Sequence, residues 1–255
     1  MTKRVFITGA SSGIGAALAA HYASHGATLG LLARRGDKLA EIAAQLPGGP
    51  HQLYSADVTD ATAVAAAAND FMRGGLPDIV IANAGVSVGT LTEYAEDFAA
   101  FKQVMETNVL GLVATFQPFA GPLAASRSGT LVGIASVAGI RGLPGAGAYS
   151  ASKAAAISYL ESLRVEMRDR GVKVVTLCPG YIATPMTAVN TYPMPFMLPA
   201  DVAARRMARV IEAGSSYAVV PWQMGLVAKL LRLLPNPVFD ALFARAGRKP
   251  RGLEL

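Results

Sequence analysis

The 255-residue chain reads as an α/β protein: one doubly wound parallel sheet with helices on both faces and a helical extension at the C-terminus. Three observations predict this. Short apolar runs of strand type alternate with alanine-rich helical stretches, as a parallel sheet with crossover helices requires. The first run ends in a glycine-rich turn that opens a helix. No repeat of about 20 to 50 residues and no low-complexity linker interrupts the alternation, so residues 1–255 are read as a single domain, with residues 222–255 as its extension.

The elements follow in order. Arg4-Val5-Phe6-Ile7 suits a buried strand over residues 5–8. Thr8 to Gly15 then carries glycines at 9, 13 and 15, and an alanine-rich helix runs on to about Gly26. Strand, glycine turn and helix together make a phosphate cradle, because glycines let the backbone approach a pyrophosphate on the helix N-terminus. The spacing G-x-x-x-G-x-G departs from the usual G-x-G-x-x-G, and by itself it fits a plain strand-to-helix turn equally well. Further strands are expected over residues 28–33, 52–56, 78–82, 129–135, 173–178 and 217–221. Residues 181–199 hold Pro185, Pro193, Pro195 and Pro199 with Met186, Met194 and Met197, so they cannot form one regular element. Loops of that length in compact domains are usually functional.

In the extension, residues 226–234 are apolar almost all round, interrupted by Lys229 and Arg232. Val238, Phe239, Leu242 and Phe243 then form an amphipathic stripe. Something must cover that surface: the main domain, a second subunit or a lipid interface. The net charge is +6, and residues 221–255 hold six basic side chains (Lys229, Arg232, Arg245, Arg248, Lys249, Arg251) against Asp240 and Glu254. These basic residues are interleaved with long aliphatics rather than set in a nucleic-acid motif, so nucleic acid is not the expected partner.

Met1-Thr2-Lys3 leads straight into the first strand, with no signal peptide, and no uninterrupted apolar stretch approaches the roughly 18 residues of a spanning helix. A cytoplasmic protein is expected, peripheral to the membrane if the extension meets lipid. The single Cys178 lies in an apolar strand and is read as an inert core thiol. His21 and His25 have the spacing of a helical zinc pair, but no Glu accompanies them and His51 is the one further histidine. No metal site is expected.

The chemistry centres on Tyr149-Ser150-Ala151-Ser152-Lys153. Four-residue spacing on a helix places a phenol beside an ammonium. A phenol's pKa is about 10, and a nearby fixed cation lowers it towards neutrality, which makes a usable proton donor and acceptor. Asn83-Ala84-Gly85 follows a buried strand, Asn108 sits inside a long helical segment, and Ser136 closes an apolar strand. Taken singly, these read as a turn, a helix polar group and a strand terminus.

Together and in this order, they resemble the short-chain dehydrogenase/reductase family over residues 3–222. The resemblance implies a Rossmann-type fold and a nicotinamide dinucleotide. It makes Thr8 to Gly15 the cofactor motif, with Gly9, Ser11, Ser12, Gly13, Ile14 and Gly15 as contacts. Asp57-Val58 become the adenine contact and Asn83-Ala84-Gly85 the structural motif bordering the cofactor. Asn108, Ser136, Tyr149 and Lys153 become the catalytic four, with Tyr149 as proton donor, Ser136 orienting the oxygen, Lys153 holding the nicotinamide ribose and Asn108 positioning a water. Pro179-Gly180, Ile182 and Thr184 would line the nicotinamide side, and residues 181–199 would be a mobile lid over substrate.

Arg34-Arg35 closes the second strand, where an NAD enzyme usually places a carboxylate for the ribose 2′-hydroxyl. Guanidinium groups suit a 2′-phosphate instead, and Asp37 lies too far along for that role. NADP(H) is therefore the expected cofactor. The expected activity is interconversion of a small-molecule ketone and a secondary alcohol, with an apolar or amphipathic and even long-chain lipid-derived substrate. Alternatives are a 3-oxoacyl-thioester reductase and a catalytically idle NADP(H)-binding sensor or scaffold. A homo-oligomer, dimer or tetramer, is expected.

Overall fold

The computed structural model describes residues 2–253. The strands are β1 (Arg4–Thr8), β2 (Thr28–Ala33), β3 (Gln52–Ser55), β4 (Ile79–Ala82), β5 (Thr130–Ile134), β6 (Lys173–Pro179), β7 (Ile182–Ala183), β8 (Leu198–Pro199) and β9 (Tyr217–Val220). Seven of them form one parallel sheet in the order β3-β2-β1-β4-β5-β6-β9, and β7 pairs with β8 separately. The seven sheet strands coincide with the seven apolar runs, each boundary within a residue or two.

The helices are α1 (Gly13–Ser24), α2 (Gly36–Ala43), α3 (Ala61–Met72), α4 (Asp97–Met105), α5 (Gly111–Ser126), α6 (Gly147–Arg168), α7 (Pro185–Ala188), α8 (Ala200–Ala213), α9 (Trp222–Leu233) and α10 (Asn236–Phe243). Because successive strand side chains point to opposite faces, β1 sends Val5 and Ile7 to one core and Phe6 to the other. Val5 and Ile7 join Leu29, Leu31 and Ile81 beneath α1 and α8. Phe6 joins Phe71, Phe116 and Phe119 beneath α3 and α5. Gly30 makes room for that aromatic cluster, since a Cβ there would lie 2.7 Å from both the Phe6 and the Phe71 ring atoms.

Between α4 and α5, residues Glu106–Leu110 form a π-helical turn that carries Asn108. The continuous helix Asp97–Ser126 is apolar and long enough to cross a membrane by composition and length alone. Its Phe116, Phe119 and Leu123 are nonetheless fully buried against the sheet, so it serves as a core helix.

Residues 181–199 break into β7, α7 and β8, as their prolines require. Thr184 caps α7 reciprocally with Thr187. In the extension, α9 packs Met224 and Ala228 inward, and α10 buries Phe239. Arg141 fixes the corner between them: it donates to the carbonyl oxygens of Leu231 and Leu234 and to Asn236 Oδ1, with its guanidinium 3.9 Å from the Phe239 ring centre. The chain after α10 turns back over the body of the protein. Two basic residues of this segment are tied to the body. Lys249 is buried, and Arg251 pairs with Glu96 and Asp97. Glu254 lies outside the described residues.

Candidate active site

A cleft of about 790 Å³ opens at the C-terminal ends of the strands, where the sheet order reverses between β1 and β4. Gly9 and Gly13 adopt φ of +67° and +55°, which disfavours any side chain. A Cβ on Gly9 would also come within 2.7 Å of Ala84 Cα. Asn83 holds the turn in place: its Nδ2 donates to the carbonyls of Thr8 (3.0 Å) and Gly9 (3.2 Å). The amides of Asn83 and Ala84 in turn donate to Thr8 Oγ1. No side chain caps α1 at Ser12, so its first-turn amides remain available to an anion in the cleft.

At the far end of the cleft, Arg35 Nη2 donates to Ser11 Oγ (3.3 Å) and Ser12 Oγ (3.2 Å). Arg34 lies 3.6 Å from Asp57. Asp57 also accepts from the amide and hydroxyl of Thr59, so its carboxylate is committed to the protein. The result is a cationic, hydroxyl-rich corner beside an uncapped helix, and its donor set fits a phosphorylated dinucleotide.

At the other end lie Ser136, Tyr149 and Lys153. Ser136 follows β5 and accepts the Ala138 amide at 3.1 Å. Its hydrogen bond to Tyr149 opposes the effect of burial, which dominates and holds the phenol's pKa above its ordinary value. The expectation that Lys153 lowers the Tyr149 pKa is therefore corrected. Lys153 Nζ donates to the Ile134 carbonyl at 2.9 Å and stands 5.8 Å from the centre of the Tyr149 ring. Burial also lowers its own pKa to about 8. Gly85 admits the amine, which lies 3.5 Å from where a Cβ would stand.

Among the predicted site residues, all line this cleft except Gly15 and Asn108. Gly15 packs against the turn instead, since a Cβ there would meet the Gly9 carbonyl oxygen at 2.2 Å. Asn108 lies behind the wall, fully buried. Its Oδ1 accepts from the Val86 amide at 2.8 Å, and its Nδ2 donates to Val86 O (3.0 Å) and Ser152 Oγ (2.9 Å). Both amide protons are thus committed, which makes Asn108 a positioning residue for the segment after Gly85. Ser152 completes the link by donating to the Tyr149 carbonyl at 2.8 Å. Its place three residues after Tyr149 was a legible signal for this contact.

Beside this end of the cleft lies a set of contacts that no motif announced. Tyr192 is pushed up to about 12, first by burial and then by Tyr181 and Tyr149, so the three phenols lie close together. Gly247 of the returning tail packs on Tyr192, where a Cβ would come within 2.6 Å of the tyrosine Cβ. Lys249 Nζ donates to the Met186 carbonyl at 3.1 Å, and the Pro250 carbonyl accepts the Gly89 amide at 2.8 Å. Arg251 binds Asp97 at 2.7 Å and lies 3.6 Å over the Tyr94 ring. Residues 244–253 therefore strap residues 181–199 to the body. Away from the cleft, burial raises the Cys178 thiol pKa, and His25 commits Nδ1 to the His21 carbonyl.

The family of short chain dehydrogenases matches residues 3–193. A protein of Myxococcus xanthus described as an uncharacterized oxidoreductase is 38% identical over 247 residues, covering 95% of this chain and 97% of that one. A short-chain dehydrogenase from Burkholderia cenocepacia, solved in complex with NADP, superposes with a TM-score of 0.82 at 25% identity and covers 95% of this chain and 97% of that chain. A 3-ketoacyl-(acyl-carrier-protein) reductase from Brucella melitensis, complexed with NADH, superposes at 0.77 with 25% identity, covering 85% and 94%.

Proposed function

The chain belongs to the short-chain dehydrogenase family of oxidoreductases, and from that premise we propose that it interconverts a ketone and a secondary alcohol with NADP(H). One observation carries the reading: a single cleft joins the Arg35–Ser11–Ser12 corner to Ser136, Tyr149 and Lys153. The bound nicotinamide would supply or accept the hydride.

The rest of the chemistry belongs to this chain's residues. Ser136 Oγ accepts the Ala138 amide and its hydroxyl bonds to Tyr149; with substrate in place that hydroxyl would donate to the carbonyl oxygen and steady it. Tyr149, kept protonated by burial, gives its proton to that oxygen as charge develops. Lys153 is cationic below about pH 8 and presents its charge beside Gly85, where a ribose hydroxyl would approach. The Burkholderia relative with NADP supports the cofactor preference. Met186 on the cleft wall, with the Tyr181–Tyr192 ring pair near Tyr149, gives the substrate side apolar and phenolic surroundings, which suits an apolar or amphipathic ketone. Exposed Phe98, Leu110 and Val165 on the outer face of α4 to α6 support a homo-oligomer.

The Brucella relative favours a second reading, reduction of a 3-oxoacyl thioester. The test is NADPH consumption against a panel running from short polar to long-chain ketones and a 3-oxoacyl thioester. Tyr149→Phe should keep NADPH binding and lose about 10²- to 10⁴-fold in kcat. Near-normal kcat in that variant would sink the proton-donor role, and binding without any turnover would identify an idle NADP(H) binder.

A further inference from the structure

Helices α9 and α10 leave an apolar surface that the catalytic site does not use. Trp222, Leu226, Leu230 and Leu233 are all exposed, Leu233 by 81%. At about 100° per residue they fall on one stripe of α9, opposite the buried Met224 and Ala228. The inward face of α9 is thus already satisfied, and a second apolar face is left over. Val238 and Leu242 are likewise exposed on α10, about 40° apart and about 60° to 100° round from the buried Phe239. The Arg141 contacts at the corner hold the two stripes in fixed relation.

The charges around this surface are of one sign. Lys229, Arg232 and Arg245 are exposed, and among the described residues none makes an ion pair. Asp240 is the single acidic residue between 222 and 245, and it lies about 200° round α10 from Val238, off the stripe. A symmetric contact with a second copy would set three basic residues against the same three, a like-charge arrangement that costs affinity. An anionic bilayer meets both features: apolar side chains enter the acyl boundary, basic groups meet lipid phosphates, and Trp222 sits at the headgroup level.

We propose that the α9–α10 corner is a peripheral membrane-docking surface for a bilayer containing anionic lipid. It adjoins the site, since Met224 packs against Gly180 on the cleft wall. Docking therefore brings the cleft to a lipid surface without any segment spanning it.

The test is co-sedimentation of the full chain with phosphatidylcholine vesicles, with and without phosphatidylglycerol, at low and high salt. Wild type should sediment with the phosphatidylglycerol vesicles, less so at high salt, and stay in solution with phosphatidylcholine alone. Lys229→Gln/Arg232→Gln should weaken partitioning roughly 25-fold, from about fivefold for each basic residue at an anionic surface. Leu226→Glu/Leu230→Glu should abolish sedimentation while leaving NADPH binding and the circular dichroism spectrum unchanged. Wild type remaining in solution with anionic vesicles would overturn the proposal. So would a double-Glu variant that sediments normally but falls to a smaller mass in light scattering, because a second copy would then cover this face.

Discussion

Arg34 and Arg35 are neighbours in sequence, yet their side chains are committed differently. Arg35 reaches the two serines of the glycine turn, whereas Arg34 lies beside Asp57. If this corner holds a 2′-phosphate, Arg35→Ala should cost about 1.5 to 3 kcal/mol in NADPH binding, or roughly ten- to a hundredfold, and leave NADH affinity nearly unchanged. Calorimetric titration with both cofactors checks this; equal losses for the two would remove the phosphate role. Lys153 shows where reading by spacing stops. The four-residue interval from Tyr149 is visible in the sequence, but the protonation balance is set by burial from β5, β6 and the segment after Asn83, which a local pattern does not contain. Burial lowers the Lys153 pKa from 10.5 to about 8. Between those values the unfolded chain binds the proton and the folded chain does not, so stability climbs with pH across that window through this residue. At pH 7 the charged form is present in both states, and burying it costs on the order of 3 kcal/mol. Lys153→Met should therefore stabilise the protein by about 1 to 3 kcal/mol at pH 7 while removing activity, and that advantage should shrink as pH rises above about 8. Denaturant unfolding of both proteins from pH 7 to 10 measures it, and a variant that is less stable at pH 7 would refute the account.

The elements divide by how local their causes are. Strands β1 to β6 and β9 were legible because each is a short apolar run closed by turn residues, and the prolines of 181–199 correctly ruled out one regular element there. The returning tail was not legible. Its contacts join Gly89 to Pro250, Met186 to Lys249 and Asp97 to Arg251, pairs far apart in sequence that share no motif. Arg251, with the Leu91 amide, holds the Asp97 carboxyl below the ordinary carboxylate range, which ties the strap to the start of α4. Arg251→Ala should loosen residues 244–253, raise KM for the ketone severalfold and leave NADPH affinity unaltered, because the strap's contacts are with Gly89, Asp97, Met186 and Tyr192, away from the Arg35–Ser11–Ser12 corner. Steady-state kinetics with limited proteolysis checks this. Unchanged KM together with an unchanged cleavage pattern would show that the strap does not bear on substrate.

At the scale of the molecule, the alternation of strand and helix was enough to predict the doubly wound sheet, because parallel strands demand crossovers and each crossover here is helical. The division into two cores follows from the parity of Val5, Phe6 and Ile7 once β1 is known to be central. Asn108 was less readable: in sequence it is one polar residue in a long helix, and its partners Val86 and Ser152 come from different segments. Position along the chain also carries information about time. Every residue lining the cofactor cleft lies at or before Thr187, whereas the strap is made from residues 244–253. During synthesis the N-terminal part of a chain can organise first. The dinucleotide end can thus take shape before the strap has been made, and the substrate side is finished only once residues 244–253 have emerged from the ribosome.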